Sequence, residues 1–265
     1  MNIYNNKKTF FYKLKSSCKK EWSEYTNHKF LSDLVSNKLP DKNFKNYLVQ
    51  DYVFLQQFLK ILALSVYKSK SFEEINRSVN FIKGIDHEIK LHINYCKKWK
   101  IPLKSLNNIV VEKSNSFEEI NRSVNFIKGI DHEIKLHINY CKKWKIPIKS
   151  LNNIVVEKAN SSYTDHVLSV GKNGDNLDIF SCLSVCIIGY GEIGFNLSKI
   201  KNWKKSKYSS WIKMYSSKEY QQVAKDNIDY LDILLKNNND KKLNTLKRNF
   251  KKSTILERNF WECFV

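Results

Sequence analysis

Apolar residues recur at steps of three and four along most of this chain, the spacing of one face of an α-helix. In 43–68 this step is kept by Phe44, Tyr47, Leu48, Tyr52, Leu55, Leu59 and Leu62. In 72–98 it is kept by Phe72, Ile75, Val79, Ile82, Ile85, Ile89, Ile93 and Cys96. Only 3 prolines and 7 glycines are available for the tight turns of β-hairpins. We therefore predict an all-α bundle of about eight helices.

The same spacing predicts shorter helices elsewhere in the chain. They are expected at 10–25, 163–170, 177–200, 208–215, 217–236 and 240–264. Turns are predicted at 38–41, Pro102, Pro147, 171–174 and the polar stretch 201–207. We treat 1–265 as a single domain built from these helices.

Residues 71–115 are repeated almost letter for letter at 116–160. The two copies differ only at Leu103/Ile148 and Ser114/Ala159. A solenoid needs at least three units, so two near-identical copies indicate a recent tandem duplication inside an older fold. Each copy predicts one long helix and an irregular tail. Our hypothesis is that one copy fills the bundle while the other packs outside it, and the sequence does not choose between them.

The chain is strongly basic, with 46 Lys and Arg against 26 Asp and Glu and a formal net charge of +20. Each copy of the repeat contributes +3, so a chain with one copy would still carry +17. Such a balance suits an anionic partner such as nucleic acid or a membrane surface. However, the lysines are scattered singly or in pairs, and no RNP, zinc-finger or basic-zipper signature accompanies them. This distribution favours solvated helix faces over a nucleic-acid site.

The 6 cysteines show no CxxC or Cys/His spacing typical of zinc, so no metal is expected. The first 20 residues lack the apolar core of a signal peptide. The longest apolar run, around 179–188, is too short to span a bilayer. These features predict a soluble protein of a reducing compartment, the cytoplasm.

Two motifs match catalytic patterns only superficially. Gly189-Tyr-Gly191-Glu-Ile-Gly194 fits GxGxxG, but the acidic residue and the further strands of a dinucleotide fold are missing, so helix packing against small residues is favoured. His87-Glu88…His92 is one residue too long for a zincin, and its histidines fall on different faces of a helix. Cys182 and Cys186 lie one turn apart and need no explanation beyond a core.

Six groups of residues on either side of the repeat occur in an order and at spacings that can be compared with the signatures of known families. They are Trp22…Tyr25…His28-Lys-Phe30, Leu39-Pro40…Phe44…Tyr47-Leu-Val-Gln50-Asp51-Tyr52-Val-Phe54-Leu55, Tyr163-Thr-Asp-His166, Cys186-Ile-Ile-Gly-Tyr190-Gly-Glu192-Ile-Gly194, Trp211-Ile-Lys-Met-Tyr215 and Glu257-Arg-Asn-Phe260-Trp261. With Glu88…His92 (or Glu133…His137), this series resembles the signature of the TenA (thiaminase II) family over essentially the whole chain. The resemblance implies a heme-oxygenase-like helical bundle that assembles as a homotetramer and uses no cofactor.

The resemblance also implies C–N cleavage at the 5-methylene of a 4-amino-2-methylpyrimidine. The substrate is the aminomethylpyrimidine from degraded thiamin or, less productively, thiamin itself, and the product is hydroxymethylpyrimidine. Cys186 would attack the ring as a thiolate, Asp51 would hold a ring nitrogen, and Glu257 would pass protons to and from the leaving group. Tyr215 would lie near the thiol. The residues implied to line and stack on the ring are Phe54, Tyr163, Tyr190 and Phe260.

Structural readings of these residues stay open at this point. The aromatic residues suit the core of any helical bundle, and Glu257 on a basic helix suits a surface ion pair. Asp51 is the most informative of these residues, because a lone carboxylate in an apolar helix is costly unless it is paired or functional.

The chain also departs from the family pattern. Phe54 stands where Tyr is common, Lys29 replaces Pro, and Val185 and Ile188 flank the cysteine in place of Pro and an aromatic residue. A non-catalytic basic protein and a pseudo-enzyme of the same fold remain alternatives.

Overall fold

The computed structural model describes residues 2–82, 156–236 and 242–265. Within these ranges the regular structure is helical, as predicted. The α-helices are α1 (Phe10–Ser16), α2 (Lys19–Thr26), α3 (Lys29–Val35), α4 (Asp41–Tyr67), α5 (Lys158–Asn173), α6 (Asn176–Leu197), α7 (Ser209–Tyr215), α8 (Lys218–Lys236) and α9 (Leu243–Glu262). Residues 72–82 are also helical, and short 3₁₀ turns lie at Ile3–Asn5 and Trp203–Lys205.

The chain divides into two compact units. One comprises Met1–Phe44 and Lys158–Val265, and the other comprises Lys45–Glu157, so α4 begins in the first unit and continues in the second. The assignment of 1–265 to one domain stays a prediction. Most of the repeat, with Pro102, Pro147 and the Glu88/His92 and Glu133/His137 pairs, lies outside the described residues.

Helix α6 is the core of the first unit. It packs against α2, α5, α7, α8 and α9. By length and composition it could cross a membrane, but 94% of its most apolar 18-residue segment is buried inside the protein, as expected of a core helix. Its start is fixed by Asp175, whose side chain accepts hydrogen bonds from the backbone N–H groups of Leu177 and Asp178. The Asp178 side chain in turn accepts a hydrogen bond from the Asp175 N–H, which completes a capping box.

The three glycines of the GxGxxG match all lie inside α6, where neighbouring groups approach its backbone. A Cβ at Gly189 would lie 2.5 Å from Cε1 of Tyr25. A Cβ at Gly191 would lie 2.7 Å from the Tyr4 hydroxyl, and one at Gly194 would lie 2.5 Å from the backbone carbon of Tyr215. The preference for helix packing over a dinucleotide loop is therefore confirmed.

Two details of the predicted helices were wrong. The predicted helix 10–25 is two helices, because the chain breaks at Ser17 and Cys18 before α2 begins. Helix α3 was not predicted. It is only 7 residues long, and His28 caps its first turn by accepting a hydrogen bond from the Phe30 N–H at 3.2 Å. The other predicted helices are confirmed where they lie in the described ranges, and α5 begins five residues earlier than expected. It also continues through Asn173, so the turn predicted at 171–174 was placed too early.

Candidate active site

The thiol of Cys186 and the carboxyl of Glu257 come together where α6 packs against α9. Cys186 is half-buried, and Glu257 is only 2% exposed. Both the thiol and the hydroxyl of Tyr163, carried by α5, lie within hydrogen-bonding reach of the Glu257 carboxyl. The first unit thus gathers two residues of the predicted chemistry and one of the predicted ring-binding residues at one point.

Burial dominates the electrostatics of this cluster. It raises the pKa of Glu257 to about 8, while the hydrogen bonds from Cys186 and Tyr163 act in the opposite direction. One carboxyl oxygen, Oε1, is buried without a hydrogen-bond partner among the described residues. The carboxyl is therefore mostly protonated at neutral pH and can donate a proton. The alternative that Glu257 is a surface ion-pair member is wrong.

Tyr163 and Tyr25 complete the surroundings of the carboxyl. The Tyr163 hydroxyl also donates to the Cys182 carbonyl oxygen at 3.3 Å. Burial raises the pKa of both phenols well above the ordinary value, and the nearby Glu257 and Cys186 raise it further. Sequence reasoning placed Tyr25 in the family signature but gave it no role at the site.

Tyr190 and Tyr215 belong to a buried aromatic cluster beside α6. Their ring centroids lie 4.8 Å apart, and Tyr190 also contacts Trp261 at 5.4 Å. Trp211 packs on Tyr215 at 4.6 Å. Both tyrosines are nearly inaccessible, at 2% and 0% exposure. Their predicted roles toward the ring and the thiol stay predictions.

Phe260 lies two residues before the end of α9. It is 4% exposed, and its ring packs edge-on against Phe264 at 5.1 Å. Its predicted contact with the substrate ring also stays a prediction.

Asp51 and Phe54 belong to the second unit and are described within it. Asp51 is 3% exposed and accepts a hydrogen bond from the Tyr47 hydroxyl at 3.0 Å, one helical turn earlier. Phe54 is 5% exposed and contacts Phe58 at 5.5 Å. Asp51 is thus a buried carboxyl held by a phenol, as its position in an apolar helix suggested.

Cys182 differs from Cys186 although both lie on α6. It is fully buried, and burial raises the pKa of its thiol to about 12. Its sulfur lies 4.0 Å from Nε2 of His166, which also contacts the Asn249 carbonyl oxygen at 3.4 Å. A thiol so protected is a core residue. The described residues contain no group of three or more side chains that could hold a metal ion.

Two other signature residues hold helices together. Glu192 of α6 pairs with Lys15 at 2.7 Å and accepts a hydrogen bond from the Trp22 indole at 3.1 Å. His28 contacts Glu262 at 3.1 Å, linking the start of α3 to the end of α9. These residues shape the bundle around the cluster.

Comparison with known proteins identifies the family and the fold of the chain. The sequence profile of the TENA/THI-4/PQQC family matches residues 16–118 and 108–264. The chain belongs to this family. The two matched ranges overlap at 108–118, and each contains one complete copy of the repeat together with a few residues of the other copy.

Relatives of this TenA-family protein cover nearly its full length. It is 26% identical over 243 residues to a Helicobacter pylori protein named aminopyrimidine aminohydrolase, covering 91% of each chain. The structure of a TenA family transcription regulator from Silicibacter sp. TM1040 matches with a TM-score of 0.66 at 27% identity, covering 95% of this chain and 94% of that one. A TenA homologue from Pyrococcus furiosus matches with a TM-score of 0.69 at 19% identity, covering 96% and 98%. The predicted TenA-like fold is confirmed.

Proposed function

We propose that this TenA-family protein is an aminopyrimidine aminohydrolase that converts 4-amino-5-aminomethyl-2-methylpyrimidine to hydroxymethylpyrimidine and ammonia. The observation that carries the proposal is the cluster of the Cys186 thiol and the buried, protonated Glu257 carboxyl. A nucleophile and a proton donor in contact are what substitution at an unactivated C–N bond requires. The Helicobacter pylori relative bears the name of this activity.

The reaction begins with addition of the Cys186 thiolate to the ring carbon beside the substituted position. A C–S bond forms, and a ring nitrogen held by Asp51 takes up the displaced electron pair together with the proton that the Cys186 thiol gives up. The C–N bond then breaks, and the amine leaves as ammonia with the proton of Glu257. The resulting carboxylate deprotonates water, which adds to the methylene carbon. The C–S bond then breaks, and the ring nitrogen returns its proton to the sulfur, which restores the aromatic ring and the Cys186 thiol.

Glu257 suits this double role because its pKa of about 8 leaves donor and acceptor forms close in free energy near neutral pH. Oε1, which has no hydrogen-bond partner in the part of the chain that the structure describes, also offers an acceptor for an amino group or a water molecule. We extend the proposal to a cytoplasmic homotetramer that needs no metal or cofactor. Light scattering and assays with a chelator test these two points.

The deciding experiment incubates the purified protein with the aminomethylpyrimidine and measures both products by mass spectrometry and ammonia assay. Cys186→Ser and Cys186→Ala should abolish release. Cys263→Ser is the matched control, because Cys263 is an exposed thiol at the end of α9 and its loss should leave turnover unchanged.

Full activity in either Cys186 variant would refute the nucleophile assignment. Absence of turnover in the wild type would refute the hydrolase itself. Salt-dependent binding of single-stranded or duplex nucleic acid would then favour the alternative suggested by the net charge of +20.

A further inference from the structure

Tyr25 contacts the backbone that carries the thiol. Its ring lies against Gly189, where an added Cβ would be 2.5 Å from Cε1. Its hydroxyl lies 3.5 Å from the carbonyl oxygen of Val185, the residue that precedes Cys186. Any larger residue than glycine at 189 would push the ring away from this turn of α6.

Tyr25 also contacts the helix that carries the carboxyl. Its ring stacks on Trp261, with centroids 6.4 Å apart and planes inclined by 17°. Trp261 lies one helical turn after Glu257 on α9. Trp22, which also belongs to α2, packs edge-on with the Tyr25 ring, with centroids 5.7 Å apart. A single side chain therefore touches both helices of the candidate site.

The ionisable groups that interact electrostatically with the Tyr25 hydroxyl come from four helices. They are Glu257 of α9, Cys186 of α6, Tyr163 of α5 and Tyr220 of α8. Tyr25 is fully buried, so its phenol stays neutral and supplies a fixed dipole. Because electrostatic interactions are mutual, this dipole acts on the charge of the thiol and the carboxyl as well.

We propose that Tyr25 is a positioning residue that holds the Cys186 turn of α6 against Glu257 and keeps their surroundings polar enough for the thiolate to form. The role in turnover rests on the proposed function. The role in setting thiol reactivity does not, and it can be measured without substrate.

The test compares Tyr25→Phe with Tyr208→Phe. Tyr208 is a matched control, because it is also buried, at 1% exposure, and its hydroxyl also donates to a backbone carbonyl oxygen, that of Leu39 at 2.7 Å. Iodoacetamide labelling of Cys186 is followed by peptide mass spectrometry across a pH series, and kcat, KM and thermal unfolding are measured on the same samples.

Loss of the Tyr25 hydroxyl leaves an apolar edge, which disfavours the thiolate. We expect the labelling midpoint of Cys186 to rise by about half a pH unit and kcat to fall roughly tenfold with KM nearly unchanged. Tyr208→Phe should lower only the unfolding temperature. Should Tyr25→Phe fail to fold, Gly189→Ala, which displaces the ring, should raise the midpoint in the same direction.

An unchanged labelling profile in a folded Tyr25→Phe protein, or in Gly189→Ala, would overturn the proposal and leave Tyr25 as a core residue. If wild-type protein releases no hydroxymethylpyrimidine, the hydrolase proposal fails while the labelling midpoint still decides the role of Tyr25.

Discussion

Glu257 keeps its proton in the folded protein at pH values where the unfolded chain has lost it. Its pKa rises from 4.5 to about 8 on burial. Between these values the folded state binds more protons than the unfolded state, so the free energy of unfolding decreases as pH rises. Glu257→Gln, which cannot ionise, should reduce this decrease. Urea unfolding at about pH 5.5 and about pH 8 measures it, and an equal decrease in both proteins would contradict the pKa.

The same carboxyl should limit activity at high pH. Turnover requires the protonated form, so kcat of the wild type should fall above pH of about 8. Glu257→Gln lacks the proton that the leaving amine needs, and we expect kcat to fall by roughly 10²–10⁴. A variant with wild-type kcat would show that another group supplies the proton.

Asp51 offers a second test at the scale of one side chain. Asp51→Asn keeps an oxygen for the Tyr47 hydroxyl, which now donates at 3.0 Å, so the fold should be retained. The loss of charge should lower kcat/KM by at least roughly 10² if the carboxyl activates the ring. The control is Asp33→Asn, because Asp33 pairs with Lys29 at the surface of α3. Equal activity in the two variants would remove Asp51 from the mechanism.

The resemblance to the TenA family singled out Cys186, Glu257 and Asp51, and their roles stay predictions. The surroundings of these residues were harder to predict. The burial of Glu257 was not predictable from the sequence. The many lysines and arginines of α9 make the helix look exposed, although one of its faces packs against α2, α5 and α6. The place of Tyr25 depends on the space left by Gly189, which lies far away in the sequence.

The glycines of α6 let neighbouring helices approach closely. Replacing one with alanine has two opposing effects on stability, a gain in helix propensity and a clash of the added Cβ. Alanine gains about 1 kcal/mol of helix propensity over glycine. At Gly194 the added Cβ would meet the backbone of Tyr215 at 2.5 Å, which cannot move without shifting α7. We expect Gly194→Ala to lower the free energy of unfolding by about 1–3 kcal/mol.

Gly191→Ala is the matched comparison. There the nearest atom is the Tyr4 hydroxyl at 2.7 Å, the far end of a side chain, so the loss should be smaller. Urea unfolding of both variants checks this order. A larger loss of unfolding free energy at Gly191 would contradict this order. It would mean that the hydrogen bond from Tyr4 to Gln221, at 2.6 Å, holds Tyr4 against Gly191 more firmly than the α7 backbone is held against Gly194.

Apolar spacing predicted the existence of long helices well and the ends of short ones poorly. Phe10, Phe11, Leu14, Trp22 and Tyr25 keep a helical step through the break at Ser17, so periodicity alone could not separate α1 from α2. Helix α3 has two turns at most and stops before Asn37, which takes a left-handed conformation at φ 62°. Such short elements depend on caps and tertiary contacts.

The near identity of the two repeat copies gives a simple test on the whole molecule. Deleting 71–115 or 116–160 yields almost the same 220-residue chain, because the copies differ at only two positions. The family profile matches ranges that each hold at most one full copy. We expect both shortened proteins to fold and to keep wild-type kcat within about threefold, since the site residues named here lie outside the repeat. Loss of folding in both would show that the second copy has become part of the core.

Helix α6 emerges from the ribosome before α7, α8 and α9, three of the helices that enclose it. Until those segments are made, the apolar surface of this long helix remains exposed in the nascent polypeptide. Chains that end near residue 200 and are released from the ribosome should therefore aggregate or recruit chaperones, whereas the full-length protein should stay dispersed.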